Sequence, residues 1–197
     1  LTEAGWLAIL IPEEYGGSGL GISAASAVLE EVQRAGCNGA ACHAQMYTMG
    51  TILRHGNPEQ KARWLPGIAA GELRLQAFGV TEPTSGTDTL SLRTTAVRRG
   101  DCYVVNGQKV WTSRAEHSDL MLLLARTNQD VPKHKGISAF IVDMKAPGIS
   151  VQGIPNIAYR HDFNQVFFED VRVPAKDLMG GLDNGWYVAT TTLDFER

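Results

Sequence analysis

The sequence has no CxxC pair, no long apolar run and no excess of positive charge. Cys37, Cys42 and Cys102 are odd in number and read as buried thiols in a reducing compartment, not as a disulfide frame. No apolar stretch reaches the roughly 18 residues of a membrane-spanning helix, and no signal peptide opens the chain. A net charge of −3 advertises neither nucleic acid nor a disordered acidic tail. Familiar catalytic signatures are missing too. No GxGxxG follows a strand, and there is no P-loop and no HExxH. The run from Gly16 to Gly21 has such glycines in composition only, and reads as a loop joining two helices. The five histidines, His43, His55, His117, His134 and His161, lack metal-ligand spacing. Ser85 is not in a GxSxG elbow, so no metal site and no serine triad is expected.

What is present is ordinary for a globular chain: 197 residues, 44% hydrophobic and 20% charged, enough for one medium domain or two small ones with a real core. The first third reads helical. A short amphipathic piece covers residues 2–10 and stops at Pro12. Ser23 is placed to cap a helix that runs through Ala35 and stops at Gly36. A second helix is expected over residues 39–54. Asn57-Pro58-Glu59-Gln60 is a cap followed by a proline at the first helical position, and that helix should end near Leu65, before Pro66-Gly67. After Gly71 the period changes to two. Residues 94–98 and 102–105 read as a hairpin about Arg99-Gly100-Asp101. Asn106-Gly107 signals another turn, with a new strand over residues 108–112. The apolar runs 120–125 and 137–142 read as central strands. Residues 165–168 and 171–173 end the β region at Pro174, and a helical pattern returns from Asn184. The fold class is therefore α+β: helical residues 1–72, an antiparallel, barrel-like β domain over 73–180, and the start of a C-terminal helical bundle at 181–197. Both ends lie inside amphipathic patterns, so a fragment of a longer protein is expected.

Two segments have the composition of a ligand surface. Residues 78–88 leave an apolar strand and enter a turn with Thr81, Thr84, Ser85 and Thr87 hydroxyls. Gly79 and Gly86 permit close approach there, and Pro83 fixes the turn. About two strands later comes Gly107-Gln108-Lys109-Val110-Trp111-Thr112-Ser113. Backbone donors on the first segment and an aromatic ring on the second are what a flavin's polar edge and planar face require. A strand followed by a tight turn, with Trp111 in the core or at its rim, reads equally from composition. Near the end, Asp194 and Arg197 are three apart on a helix and share a face, which reads as a surface ion pair. Periodicity alone gives Glu196 no catalytic role.

In order, Ile11-Pro12-Glu13-Glu14-Tyr15-Gly16-Gly17-Ser18-Gly19, the 78–88 segment, Val105-Asn106-Gly107-Gln108-Lys109-Val110-Trp111-Thr112-Ser113, Val166-Phe167-Phe168-Glu169-Asp170-Val171-Arg172-Val173-Pro174 and the final Asp194-Phe195-Glu196-Arg197 resemble the acyl-CoA dehydrogenase family over nearly the whole chain. The resemblance implies FAD and the oxidation of an acyl-CoA thioester to the trans-2-enoyl-CoA, by α-proton abstraction with β-hydride transfer to flavin N5. Phe78, Gly79, Val80, Thr81, Gly86 and Thr87 then line the flavin, with Val80 and Thr81 donating to its pyrimidine edge. Trp111 packs on the ring system, with Thr112 beside it and Ser113 near N5. Thr87, Asp194 and Arg197 contact substrate. The resemblance leaves two places for the base: Glu196, as in the isovaleryl and long-chain branches, or a residue beyond Arg197.

Two departures from the commoner pattern, Thr87 for Ser and Ser113 for Thr, keep the hydroxyl. The segment Arg160-His161-Asp162-Phe163-Asn164 differs from that of the straight-chain enzymes and leaves the substrate open. The resemblance further implies an electron-transfer flavoprotein as acceptor, a homotetramer or heterotetramer, and a cytoplasmic or mitochondrial-matrix setting. A non-catalytic partner subunit of a heteromeric dehydrogenase and a flavin oxidase or monooxygenase on the same fold are the alternatives. The fragment alone is expected to be inactive or nearly so.

Overall fold

The computed structural model describes residues 3–196. The chain divides into two units: one takes the residues up to Leu75 together with those from Thr191 onward, and the other is Gln76–Thr190.

The first unit is built on three helices, α1 (Ile22–Arg34), α2 (Ala40–His55) and α3 (Pro58–Ala69), after short 3-10 turns at Trp6–Ala8 and Glu13–Tyr15. Ten of the eleven positions of α2 from Cys42 to Ile52 are buried, so it is the central helix and has little amphipathic character. α3 starts as the sequence demands. The Asn57 side chain accepts from the Gln60 amide at 2.8 Å and the Gln60 side chain accepts from the Asn57 amide at 3.0 Å, a reciprocal capping box with Pro58 at the first helical position. Three helix ends differ from expectation. The cap of α1 is Gly21, without a side-chain bond, rather than Ser23. Residues 2–10 form only a 3-10 turn among those described. α3 runs through Pro66 to Ala69. The proline costs one helical bond there, but Trp64, Leu65 and Ile68 are buried on the same helix, and that packing outweighs the local signal. Cys42 and Cys102 are buried, whereas Cys37 is exposed, and none of the three is in a disulfide.

The second unit is one sheet in the order β6-β7-β3-β2-β4-β5-β8, with β1 paired to β4. The strands are β1 (Leu75–Gly79), β2 (Thr95–Arg99), β3 (Cys102–Ser113), β4 (Leu120–Arg126), β5 (Ile137–Asp143), β6 (Ile149–Ile154), β7 (Phe163–Pro174) and β8 (Leu178–Met179). The pairs β2–β3, β3–β7, β4–β5, β5–β8 and β6–β7 are antiparallel, and β2 and β4 meet at a single parallel pair, Thr95 with Arg126. The sheet is not closed, so the barrel-like expectation is corrected: β6 and the two-residue β8 remain as its ends. Its core joins inward residues of β1, β2, β3, β4, β5 and β7, among them Ala77, Ala96, Tyr103, Val105, Leu123, Phe140 and Phe168. α4 (Gly185–Glu196) begins in the second unit and ends in the first.

Asn106-Gly107 is not a turn. β3 passes straight through it, and the β3–β7 register slips there between Val105 and Gly107. Gly107 has φ +149°, and a Cβ on it would stand 2.5 Å from the Thr94 hydroxyl. The Asn106 side chain is held by Asp170, donating to its carboxylate at 3.0 Å and accepting its amide at 2.9 Å. The dipeptide lies within a strand, opposite a β-bulge whose extra residue is on β7, where Asp170 has φ +51°. The actual turn between β2 and β3 is at Gly100, φ +63°.

Among the described residues, no helix is long and apolar enough to cross a membrane, and no group of three or more His, Cys, Asp or Glu could hold a metal ion.

Candidate functional site

Leaving β1, the chain lies flush on the sheet because residue 79 has no side chain. A Cβ at Gly79 would meet the Met121 sulfur at 2.8 Å and Leu123 at 3.0 Å. Phe78, Val80 and Thr81 are half-buried. The Val80 carbonyl accepts from Lys109 Nζ at 3.0 Å, and the Thr81 carbonyl accepts from the Val110 amide at 2.9 Å. The peptides are trans, so the Thr81 N–H points opposite to the Val80 carbonyl, away from the lysine. Val80 and Thr81 lie just past the end of β1, and among the described residues no turn, loop or cap bond to a backbone carbonyl takes up their amides. Glu82 and Ser85 then close a tight turn with reciprocal backbone bonds of 3.0 and 3.1 Å. The turn leaves Pro83, Thr84, Gly86 and Thr87 exposed. Ser85 Oγ pins its exit by donating to the Asp88 carbonyl at 2.6 Å.

The second segment is shaped by another bulge. The β3–β7 register slips between Lys109 and Thr112. Strict alternation from the inward Lys109 would turn residue 111 in and residue 112 out. The extra residue reverses this. Trp111 sits at φ +60°, 58% exposed, and Thr112 is buried. The indole stands edge-on to Phe163, with centroids 6.4 Å apart at 78°, and the two make an exposed aromatic shelf. Thr112 faces the interior, where its hydroxyl and the Oδ1 of Asn164 have no hydrogen-bond partner among the described residues, although Asn164 Nδ2 donates to the Thr112 carbonyl at 3.1 Å. Ser113, half-buried, ends the strand.

Between the two segments lies a pair that sequence reasoning missed. Lys109 is fully buried, and its Nζ is 2.8 Å from Glu82 Oε1, with the Glu82 side chain 4% exposed. Glu82 also accepts the amides of Arg93 at 2.6 Å and Thr94 at 2.9 Å. Burial pushes the Glu82 carboxyl up, but the Lys109 charge and bond, with the two amides, outweigh it and hold it below the usual carboxylate range. Burial lowers the Lys109 ammonium, and Glu82 offsets part of that. The sequence held one signal for the pair: a lysine at an inward position of an alternating strand.

The remaining sequence candidates belong to the first unit. Asp194 and Glu196 are exposed on the last turn of α4, and Arg197 lies outside the described residues. That turn packs on α2. A Cβ on Gly50 would stand 2.8 Å from the Phe195 ring. The hydroxyls of Thr51 and Thr192 are 2.6 Å apart, and His55 is 2.8 Å from the Thr191 hydroxyl. His43 Nε2 lies 3.0 Å from the Glu196 carbonyl. The Tyr47 hydroxyl is pushed up to about 12 by burial and by the Glu196 charge.

A helical unit followed by an open, mostly antiparallel sheet with an exposed aromatic shelf has the architecture of the leading domains of one class of oxidoreductase fold. More particularly, the chain belongs to the acyl-CoA dehydrogenase family. Residues 1–72 match the family's N-terminal domain and residues 77–171 its middle domain. It is 45% identical over 194 residues to acyl-CoA dehydrogenase FadE29 of Mycobacterium tuberculosis, covering 98% of this chain and 49% of the relative. It is 35% identical over 203 residues to mitochondrial isovaleryl-CoA dehydrogenase of Pongo abelii, covering 100% and 48%. Among solved structures it is similar to the Tcur3481-Tcur3483 steroid ACAD, with TM-score 0.90 and 40% identity over 100% of this chain and 50% of that one. The ChsE4-ChsE5 complex from Mycobacterium tuberculosis gives TM-score 0.88 and 41% identity, covering 100% and 50%. The chain thus spans about half the length of the curated relatives it matches.

Proposed function

We propose that the protein carrying this chain binds FAD and oxidises an acyl-CoA thioester to the trans-2-enoyl-CoA. The observation that carries this reading is the outward strip of the second unit: the Thr81 N–H turned away from Lys109 just past β1, and Trp111 held exposed by a bulge. These fit a flavin. Its pyrimidine edge is rich in acceptors and its ring is planar, so backbone donors suit the edge and the indole suits the face. Phe78, Gly79, Val80, Thr81, Gly86 and Thr87 are the residues assigned to hold it, with Trp111 and Ser113. Thr112 is the weakest of the assigned residues, since its side chain faces the interior. FAD, when bound, supplies the acceptor for the substrate's β-hydrogen.

This chain's own residues supply binding, orientation and one proton transfer. Exposed Thr87 is assigned to the thioester end of the substrate, and Asp194 with Arg197 to its CoA part. Glu196 is assigned as the base: its carboxylate takes the α-proton, leaving an enolate-like charge that hydrogen-bond donors stabilise. Replacing Glu196 by Gln in the whole protein is expected to lower turnover by about 10²–10⁴-fold with FAD still bound. Near-normal turnover would move the base beyond Arg197. Anaerobic bleaching of bound flavin by a panel of acyl-CoAs, with the enoyl-CoA identified by mass, tests the reaction. Absence of FAD binding would overturn the whole reading, and fast reoxidation by oxygen would favour an oxidase.

A second reading concerns assembly. The ChsE4-ChsE5 neighbour is named a complex, and the Tcur neighbour carries two chain names and the word steroid. On that basis a hetero-oligomer acting on a steroid-linked thioester is an alternative to a homotetramer on a simple acyl chain, with an electron-transfer flavoprotein as acceptor in either case. Size analysis of the protein co-expressed with candidate partner subunits distinguishes them.

A further inference from the structure

A lysine and a glutamate of similar volume to Met and Leu occupy the interior behind the strip, although an apolar pair there is commonly as stable or more so. Their contacts suggest what the charges add. Lys109 spends one hydrogen on the Glu82 carboxylate and another on a backbone carbonyl, that of Val80, at 3.0 Å. Glu82 in turn is fixed by the amides of Arg93 and Thr94, just ahead of β2. The ammonium is thereby tethered on one side and directional on the other. Through the planar trans peptide, holding the Val80 carbonyl inward turns the Thr81 N–H outward. A methionine at position 109 would fill the space and leave that peptide plane free to rotate.

We infer that Lys109, anchored by Glu82, is a positioning residue for the flavin edge: it sets the orientation of the 80–81 peptide and so presents the Thr81 amide as a donor. This rests on the FAD reading above, and it concerns a residue that touches neither cofactor nor substrate. A purely structural pair would tie cofactor affinity to stability. A positioning lysine separates them, because what matters for the cofactor is the donor on the Val80 carbonyl, not the charge balance.

The test uses the whole protein and two variants, E82Q and K109M/E82Q, measured for thermal unfolding, FAD dissociation constant and flavin midpoint potential. E82Q leaves a buried ammonium without its carboxylate but keeps the donor on Val80. It is expected to be the less stable variant and yet to bind FAD within about threefold of wild type. K109M/E82Q has no buried charge and no donor. It is expected to be the more stable of the two, to bind FAD at least tenfold more weakly, and to hold the flavin at a more negative potential. FAD affinity that follows stability, or an unchanged potential in K109M/E82Q, overturns the inference. If K109M/E82Q does not fold, K109M/E82L replaces it with the same expectations. Failure of the wild type to bind FAD would instead overturn the function proposed above, so the two failures are separable.

Discussion

The strip on the second unit and the last turn of α4 are both assigned chemical roles, yet they are held in opposite ways. Behind the strip stands a buried, multiply bonded ion pair, a register bulge and a glycine pressed against the sheet. The end of α4 rests on hydroxyls, a histidine and one aromatic ring, and its carboxylates are exposed. A group that must meet a rigid planar ligand gains from being fixed before the ligand arrives. A carboxylate that must lose and regain a proton cannot be locked into an ion pair without forfeiting its basicity. The difference therefore follows the two jobs.

The contrast can be broken most severely at Lys109. Substituting Met alone leaves the Glu82 carboxylate buried without its countercharge, and about 3–5 kcal/mol of stability should be lost. Urea denaturation of wild type, K109M and K109M/E82Q measures this, and the second substitution should restore most of the loss. Next in size is Gly50→Ala. The added methyl meets the Phe195 ring at 2.8 Å, an overpacking that should cost about 1–3 kcal/mol. Hydrogen exchange should locate the effect in α2 and the last turn of α4, and an effect spread evenly into the β unit would contradict the division drawn here. Trp111→Gly should do the reverse. It removes a non-glycine residue from φ +60°, so stability should hold or rise by about 1 kcal/mol while FAD affinity falls. A loss of both would make Trp111 a packing residue after all.

The smallest expected effect is on pH dependence. The folded-state value of Glu82 lies below its ordinary 4.5, so the folded protein binds fewer protons than the unfolded chain in that range. Stability from this group is present above the ordinary value and lost as pH falls through the depressed one. The acid limb of the melting-temperature profile should thus be shallower in E82Q than in wild type.

Much of the fold was legible because local chemistry and tertiary packing agreed. The Asn57-Pro58-Gln60 start of α3, the Gly100 turn and the apolar strands β4 and β5 all follow from residue type. Legibility failed where a residue's local preference was put to another use. Asn106-Gly107 has the chemistry of a hairpin turn, but pairing of β3 along its length with β7 keeps it in the strand, opposite a bulge on β7. Pro66 signals a stop, but buried neighbours carry α3 past it. The strip itself was legible as composition, since Thr81 and Trp111 stand out in any reading of the sequence. Its support was not: a buried lysine contradicts the usual price of burying charge, and its partner lies 27 residues away. That Thr112 faces inward while Trp111 faces out depends on a one-residue slip that no periodicity announces.

That slip has a consequence for how this region can change over time. Between Lys109 and Thr112 the number of residues decides which side chain reaches solvent, more than the identity of any one of them. Deleting Val110 would remove the extra residue, straighten the strand and release the positive-φ kink at Trp111 that sets the shelf. Substitutions leave that count intact. Sequence drift in this strand should therefore be tolerated far more readily than a change in its length.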